Sequence, residues 1–458
     1  MWLGRKQAQA LVVAVMALGA PSLARAEVKL VEAGGWTVST DGRVNAFVSH
    51  VWGDNRPSGL ESLNWVGFNE SNSSGQATAD GKLRKTRIRS GYVPSTLAFN
   101  FKKQMAPQLK VSSRVEVGFQ ITNIDPAFIA DPTWMDPRAV YLDLAGNWGS
   151  VRAGRDFSLF SRGNLFMNYD IGHAYGVGFP CAYEKMFGGA CGHVGFGTLW
   201  PDFRAQITYT TPNLFDILQI SVGAFDPRTL PTYQWDQTPL PRIEGEAVAN
   251  YSWREGWGVK AWANGFHQRI GTTDDVVTDA TTTPPTTVKK DFTQDAYGVG
   301  GGVQANLGPV KIGGSGYMGQ GMDAFSVMTF NPIYVGQGQM VEGYQRRFRP
   351  TKGFLAEASV KFGSTWVMGG FGQARFDRVA TDNPLSMVDA FPLIRSQTGI
   401  SAGLFHRIEG VVLGLDYFNA HYAFDPALKS GAGAGGAAAY VEVKQTVHTV
   451  NGGVTLEW

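Results

Sequence analysis

The chain ends in "NGGVTLEW", Asn451 to Trp458. Counted back in twos from Trp458, the residues are Leu456, Val454, Gly452 and Val450, and between them stand Glu457, Thr455, Gly453 and Asn451. An apolar residue at every second position marks a β-strand with two unlike faces. The pattern recurs upstream. In "FRAQITY", Phe203, Ala205, Ile207 and Tyr209 share one face and Arg204, Gln206 and Thr208 the other; in "FLAEASVKF", Phe354, Ala356, Ala358, Val360 and Phe362 oppose Glu357, Ser359 and Lys361. One face mixes Ala, Gly, Val and Leu with aromatics toward the strand ends, and the other is too polar and too glycine-rich for a packed interior. The first suits lipid and the second water. An open sheet would leave backbone groups unpaired in hydrocarbon, so the expected fold is all-β, a transmembrane antiparallel β-barrel closed around a wet lumen.

Residues 1–26 read as a signal peptide. Arg5 and Lys6 precede the apolar run "AQALVVAVMALGA", and Ala24-Arg25-Ala26 offers a small-residue cleavage site before Glu27. The run is too short, and too soon broken by Pro21, to span a membrane. Its removal takes Arg5, Lys6 and Arg25, so that 40 basic against 38 acidic residues become 37 against 38. The mature chain is not basic, which removes the electrostatic case for bulk nucleic-acid binding. Charged residues are only 17 % of the sequence and glycines number 58, an unusual balance for a soluble protein. No composition shift divides residues 27–458, which read as a single barrel domain.

Sixteen candidate strands can be counted, from 36–53 and 84–104 through 149–163 to 443–458. Tight turns such as "MAPQ", "AGNWG", "NLFD", "REGW" and "FGST" alternate with long loops. Short periplasmic turns and long external loops on an even number of strands are the rule for bacterial single-chain barrels. Over its whole mature length the chain resembles the general diffusion porins of Gram-negative outer membranes. That resemblance implies export to the outer membrane, a homotrimer, and a terminal aromatic, here Trp458, that serves as an assembly signal.

The segment "GSVRAGRDFSLFSRG", Gly149 to Gly163, looks like the fifth porin strand with its Gly154-Arg155 pair, and the long aromatic and glycine-rich stretch through Asp202 follows it. By the resemblance this third long loop folds into the pore and narrows it. Both cysteines of the chain, Cys181 and Cys191, lie within it. An oxidising compartment favours a disulfide between them. Free thiols and a metal site are rivals, but His173 and His193 lack a tight ligand spacing, so no metal ligands and no cofactor are expected.

Alternation places charges toward the lumen. With Val44, Ala46 and Val48 facing lipid, Arg43 faces inward; Ile88 outward turns Arg87 and Arg89 inward; Val115 and Val117 outward turn Arg114 and Glu116 inward. Arg152 and Arg204 fall on their wet faces by the same count. Parity sends Arg155 outward, whereas the resemblance implies that it lines the pore. Asp170 and Glu184 on the loop are candidates to face this basic arc across a constriction, with a mild preference for anions as the result.

"YQRRFRPTK", with Arg346, Arg347, Arg349 and Lys352, and "GKLRKTR" read as solvated or as contacts for lipopolysaccharide phosphates. Runs such as "GVGGGVQ" precede no helix and lack the ending of a phosphate-binding loop, and no G-x-S-x-G suits a strand-to-helix turn, so no enzyme is expected. The function expected is passive diffusion of small hydrophilic solutes and ions through a water-filled pore. The alternative is a channel selective for phosphate or another anion.

Overall fold

The computed structural model describes residues 27–54, 82–119, 121, 135–180, 190–228, 237–279, 286–322, 340–341, 348, 350–377, 394–424, 427–428, 440–441 and 444–458. The signal-peptide reading, Cys181, Glu184 and the arginines at 346, 347 and 349 lie outside them.

Sixteen antiparallel strands close into a barrel. In chain order they are β1 (Trp36–Asp54), β2 in two segments (Lys82–Arg89 and Ser95–Ala106), β3 (Leu109–Phe119), β4 (Met135–Gly146), β5 (Gly149–Phe157), β6 (Phe203–Thr210), β7 (Leu218–Phe225) and β8 (Arg242–Arg254). The second half comprises β9 (Trp257–Asp279), β10 (Thr286–Leu307), β11 (Val310–Gln320), β12 (Pro350–Phe362), β13 (Thr365–Phe376), β14 (Ile394–Ile408), β15 (Val411–Phe424) and β16 (Lys444–Glu457). Each strand pairs with the next, and β1 pairs with β16 from Arg43↔Glu457 to Gly53↔Val447. The terminal residue extends this seam: Gly42 and Trp458 exchange backbone hydrogen bonds of 3.0 and 3.1 Å. No helix among the described residues is long and apolar enough to cross a membrane; here strands do so.

The alternation read from the sequence sets the two faces. Val44, Val48, Ile88, Ile207, Leu415 and Val454 are exposed on the outer surface, and their neighbours Arg43, Asn45, Arg89, Gln206, Asp416 and Thr455 are buried within the barrel. Near the short turns, exposed Trp36, Trp148, Tyr209, Tyr251, Trp253 and Phe362 form the aromatic girdle expected at a membrane interface. Trp148 and Tyr209 stack at 6.4 Å and 12°. At the turn between β12 and β13, Gly363 has φ +59° with open space around it, so conformation rather than crowding calls for glycine there.

Two elements differ from the sequence reading. The second strand is interrupted at Ser90–Pro94, where Pro94 has no N–H to give the ladder and Gly91 N–H turns to Asn45 Oδ1 (2.7 Å). The fifth strand stops at Phe157 instead of running to Gly163. Beyond it Ser161 takes φ +66° and a helix, α1 (Arg162–Ile171), begins. The helix has no acidic first turn and no side-chain cap. Its stability comes from docking: Asn164 and Asn168, one turn apart, both reach the wall, Asn164 accepting from Trp262 Nε1 (2.7 Å) and Asn168 donating to Glu357 (2.6 Å).

Candidate functional site

The described residues of the segment joining β5 to β6 lie inside the barrel and are almost wholly buried. It leaves the wall where Ser158 N–H donates to Asp202 O (2.9 Å). Phe160 N–H then donates to Glu244 (2.8 Å) on β8 and Ser161 N–H to Asn264 (3.2 Å) on β9. On the far side the Val177 and Gly178 N–H groups donate to Asp416 on β15 at 3.0 and 2.9 Å, and Asn451 Nδ2 on β16 donates to Gly178 O. Arg43 on β1 donates to Ala174 O (2.7 Å), and Tyr92, in the interruption of β2, donates to Gly176 O (2.8 Å). The loop therefore spans the lumen and is bonded to wall strands from β8 round to β2.

The opposite arc, β3 to β6, carries paired charges, with Arg114 and Arg152 partly exposed and Arg138 and Arg204 buried. Arg114 donates to Asp41 (2.7 and 2.9 Å), to Asn100 (2.8 Å) and to Glu116 (2.6 Å). Arg138 lies 3.3 Å from Glu116 and 3.5 Å from Asp136. Arg152, with 29 % of its side chain exposed, holds Asp143 at 2.6 Å and also pairs with Asp156, its guanidinium 4.0 Å over the Tyr141 ring. Arg204 lies 3.5 Å from Asp202. Four arginines (114, 138, 152, 204) thus stand among six carboxylates (41, 116, 136, 143, 156, 202). The basic arc expected from sequence is a mixed one, because each inward arginine is paired with carboxylates of its own segment or of a strand one or two places away.

The remaining expected residues divide clearly. Arg87 and Glu116 are inward and partly exposed. Arg43 and Arg89 are inward yet completely buried, Arg43 against Glu457 and under the loop, so they do not present a solvated charge. Arg155 is a correction. Its cross-strand partners are the exposed Val140 and Ala205, and it donates to Pro137 O (2.9 Å), so it belongs to the outer face. The ladder around it runs without a bulge, and parity overrides the place the resemblance implied. Asp170 does not face the β3–β6 arc: it accepts from Lys311 Nζ (2.7 Å) on β11 and from Gln304. Cys191 is disulfide-bonded.

Sequence reasoning missed several charged side chains at this surface. Arg162 pairs with Glu246, and Glu457 joins Arg43, Tyr175 and Arg407 in one network. Inward parity on β8 and β16 points to Glu246 and Glu457, but nothing in the spacing marks their partners.

A closed barrel with a lipid-compatible belt, a charged lumen and a loop laid across it is an outer-membrane channel. A family profile described as Gram-negative porin matches residues 10–456, and the chain belongs to that family. Among solved structures it is similar to the outer membrane channel DcaP of Acinetobacter baumannii, at 13 % identity and TM-score 0.59 over 93 % of this chain and 99 % of that one. It is also similar to an anion-selective porin from Comamonas acidovorans, at 16 % identity and TM-score 0.55 over 92 % and 100 %. At such identities the likeness speaks for the fold. No curated protein matches the sequence.

Proposed function

We propose that this porin is a homotrimeric, weakly selective pore for passive diffusion of small hydrophilic solutes and ions. The reading rests on the mixed β3–β6 arc, where arginines paired with carboxylates offer local dipoles and little net charge. Such a lining orients dipolar solutes without trapping either sign of ion. Its slight acidic excess turns the expected selectivity from mildly anionic toward neutral or mildly cationic. A channel selective for an anion is the second reading, supported by the likeness to the Comamonas porin and by the arginines themselves. Lipid and lipopolysaccharide are the partners proposed for the outer surface. Planar-bilayer recording tests the function: ohmic conductance, a reversal potential near zero in a salt gradient and no block by micromolar solute are expected. Half-maximal block by micromolar phosphate or another anion would establish the second reading instead.

A further inference from the structure

His173 and His193, on the outgoing and returning legs of the inward loop, meet Glu357 of β12. Each of the three offers a ligand atom within 4.8 Å of those of the other two, and all three are buried. His173 Nδ1 lies 3.2 Å from Glu357 Oε1 and 3.2 Å from Asn168 Nδ2. The imidazole rings are 5.2 Å apart and nearly perpendicular at 86°, so they are not stacked on each other.

Polar atoms buried without partners supply an independent observation. His173 Nε2, His193 Nδ1 and Glu357 Oε2 have no hydrogen-bond partner although all are shielded from solvent. Three such atoms in one cluster are costly unless something satisfies them. Groups around them orient the cluster: Asn168 Nδ2 donates to Glu357 Oε1 (2.6 Å), and His193 Nε2 lies 2.8 Å from Ser401 Oγ. Side chains that hold ligands from outside are usual around metals. Asp416, anchored by loop N–H groups, adds a second buried carboxylate beside the loop.

We propose that His173, His193 and Glu357 bind one divalent transition-metal ion of the zinc class, which staples both legs of the inward loop to β12. Two imidazoles and one carboxylate suit zinc; calcium and magnesium take oxygen ligands. Sequence spacing hid the site because the third ligand comes from a distant strand.

The test uses full-length protein purified from outer membranes in detergent, stripped with a chelator and given Zn²⁺ alone or Co²⁺ alone. Metal is counted by inductively coupled plasma mass spectrometry, and Co²⁺ is followed by its visible absorption. One ion per chain is expected in the wild type, with affinity more than about tenfold weaker in His193→Gln and in Glu357→Gln. Folding of each variant is checked by heat-modifiable migration on gels, and either folded variant suffices. A wild type that takes up no Zn²⁺, or variants that hold it as tightly as the wild type, would overturn the proposal. His173→Gln serves if neither of the first two folds.

Discussion

Replacing Arg152 by Gln removes one positive charge from the β3–β6 arc and leaves Asp143 and Asp156 facing the lumen. Asp143 lies 2.6 Å from the guanidinium, so it loses its neutralising partner while the barrel backbone keeps every ladder bond. A unit charge acting across about 10 Å of water is worth ~0.4 kcal/mol unscreened, and about 0.15 kcal/mol at 0.1 M salt, where the Debye length is about 10 Å. Because a cation gains what an anion loses, the cation-to-anion permeability ratio should rise about 1.7-fold at 0.1 M and only about 1.05-fold at 1 M. Asp156→Asn is the opposite perturbation and should lower the ratio by a comparable factor. The assay is the zero-current potential of reconstituted channels in a salt gradient, recorded at both salt levels. Equal potentials for wild type, Arg152→Gln and Asp156→Asn at low salt would show that ions do not pass this arc, and shifts of the same sign in both variants would refute the electrostatic account.

Arg155→Ala should leave the low-salt reversal potential unchanged, since its side chain stands on the outer face between Val140 and Ala205; a shift like that of Arg152→Gln would return it to the pore. Glu457→Gln strips the carboxylate from fully buried Arg43 and should lower stability by about 3 kcal/mol, read as an earlier unfolding midpoint in a denaturant series. Gly197 sits at φ +103° with its Cα against the backbone of Phe354, so Gly197→Ala should unseat the returning leg of the loop and alter single-channel conductance while the barrel still folds. Under non-reducing conditions Cys181 and Cys191 should resist alkylation, and chemical crosslinking in mild detergent should yield trimers; labelled thiols or monomers alone would remove those two proposals.

The strands were legible because period-two alternation is a local property. Val44 and Val48 outward with Arg43 and Asn45 inward needs no knowledge of any other strand, and Arg155 shows that the local count deserved more weight than family likeness. Partner choice was not legible. Arg114 finds Asp41 two strands away, and Asp170 finds Lys311 on β11, through barrel register and the path of the loop. No spacing in the sequence encodes either. The interruption of β2 was likewise hidden, because Pro94 alone permits both a bend and an edge, and the docking of Gly176 against Tyr92 decides between them.

The glycines of the inner face carry the largest reversal. Read as sequence they exclude a packed interior, yet a Cβ at Gly313 would stand 2.6 Å from Met167 Sδ on the helix, and one at Gly414 would stand 2.5 Å from Tyr175 O. A Cβ at Gly372 would stand 2.0 Å from Phe196 O, and one at Gly399 2.9 Å from Phe196 Cβ. Bare backbone on β11, β13, β14 and β15 is therefore the seat of the loop, not a surface left open to water. Glycine there lets Phe179 and Phe196 approach Phe418 and Tyr422 as edge-on and tilted aromatic contacts, with centroids 5.2 to 6.2 Å apart. One side of the barrel becomes a dry core that fixes the loop, while Arg114 and Arg152 on the uncovered side keep partly exposed charges, as Lys311, Asp170 and Arg407 also do. Inward and wet are the same direction only where no loop intervenes, so the constriction is held by β8 to β16, and the proposed selectivity rests on the partly exposed charges of β3 to β6.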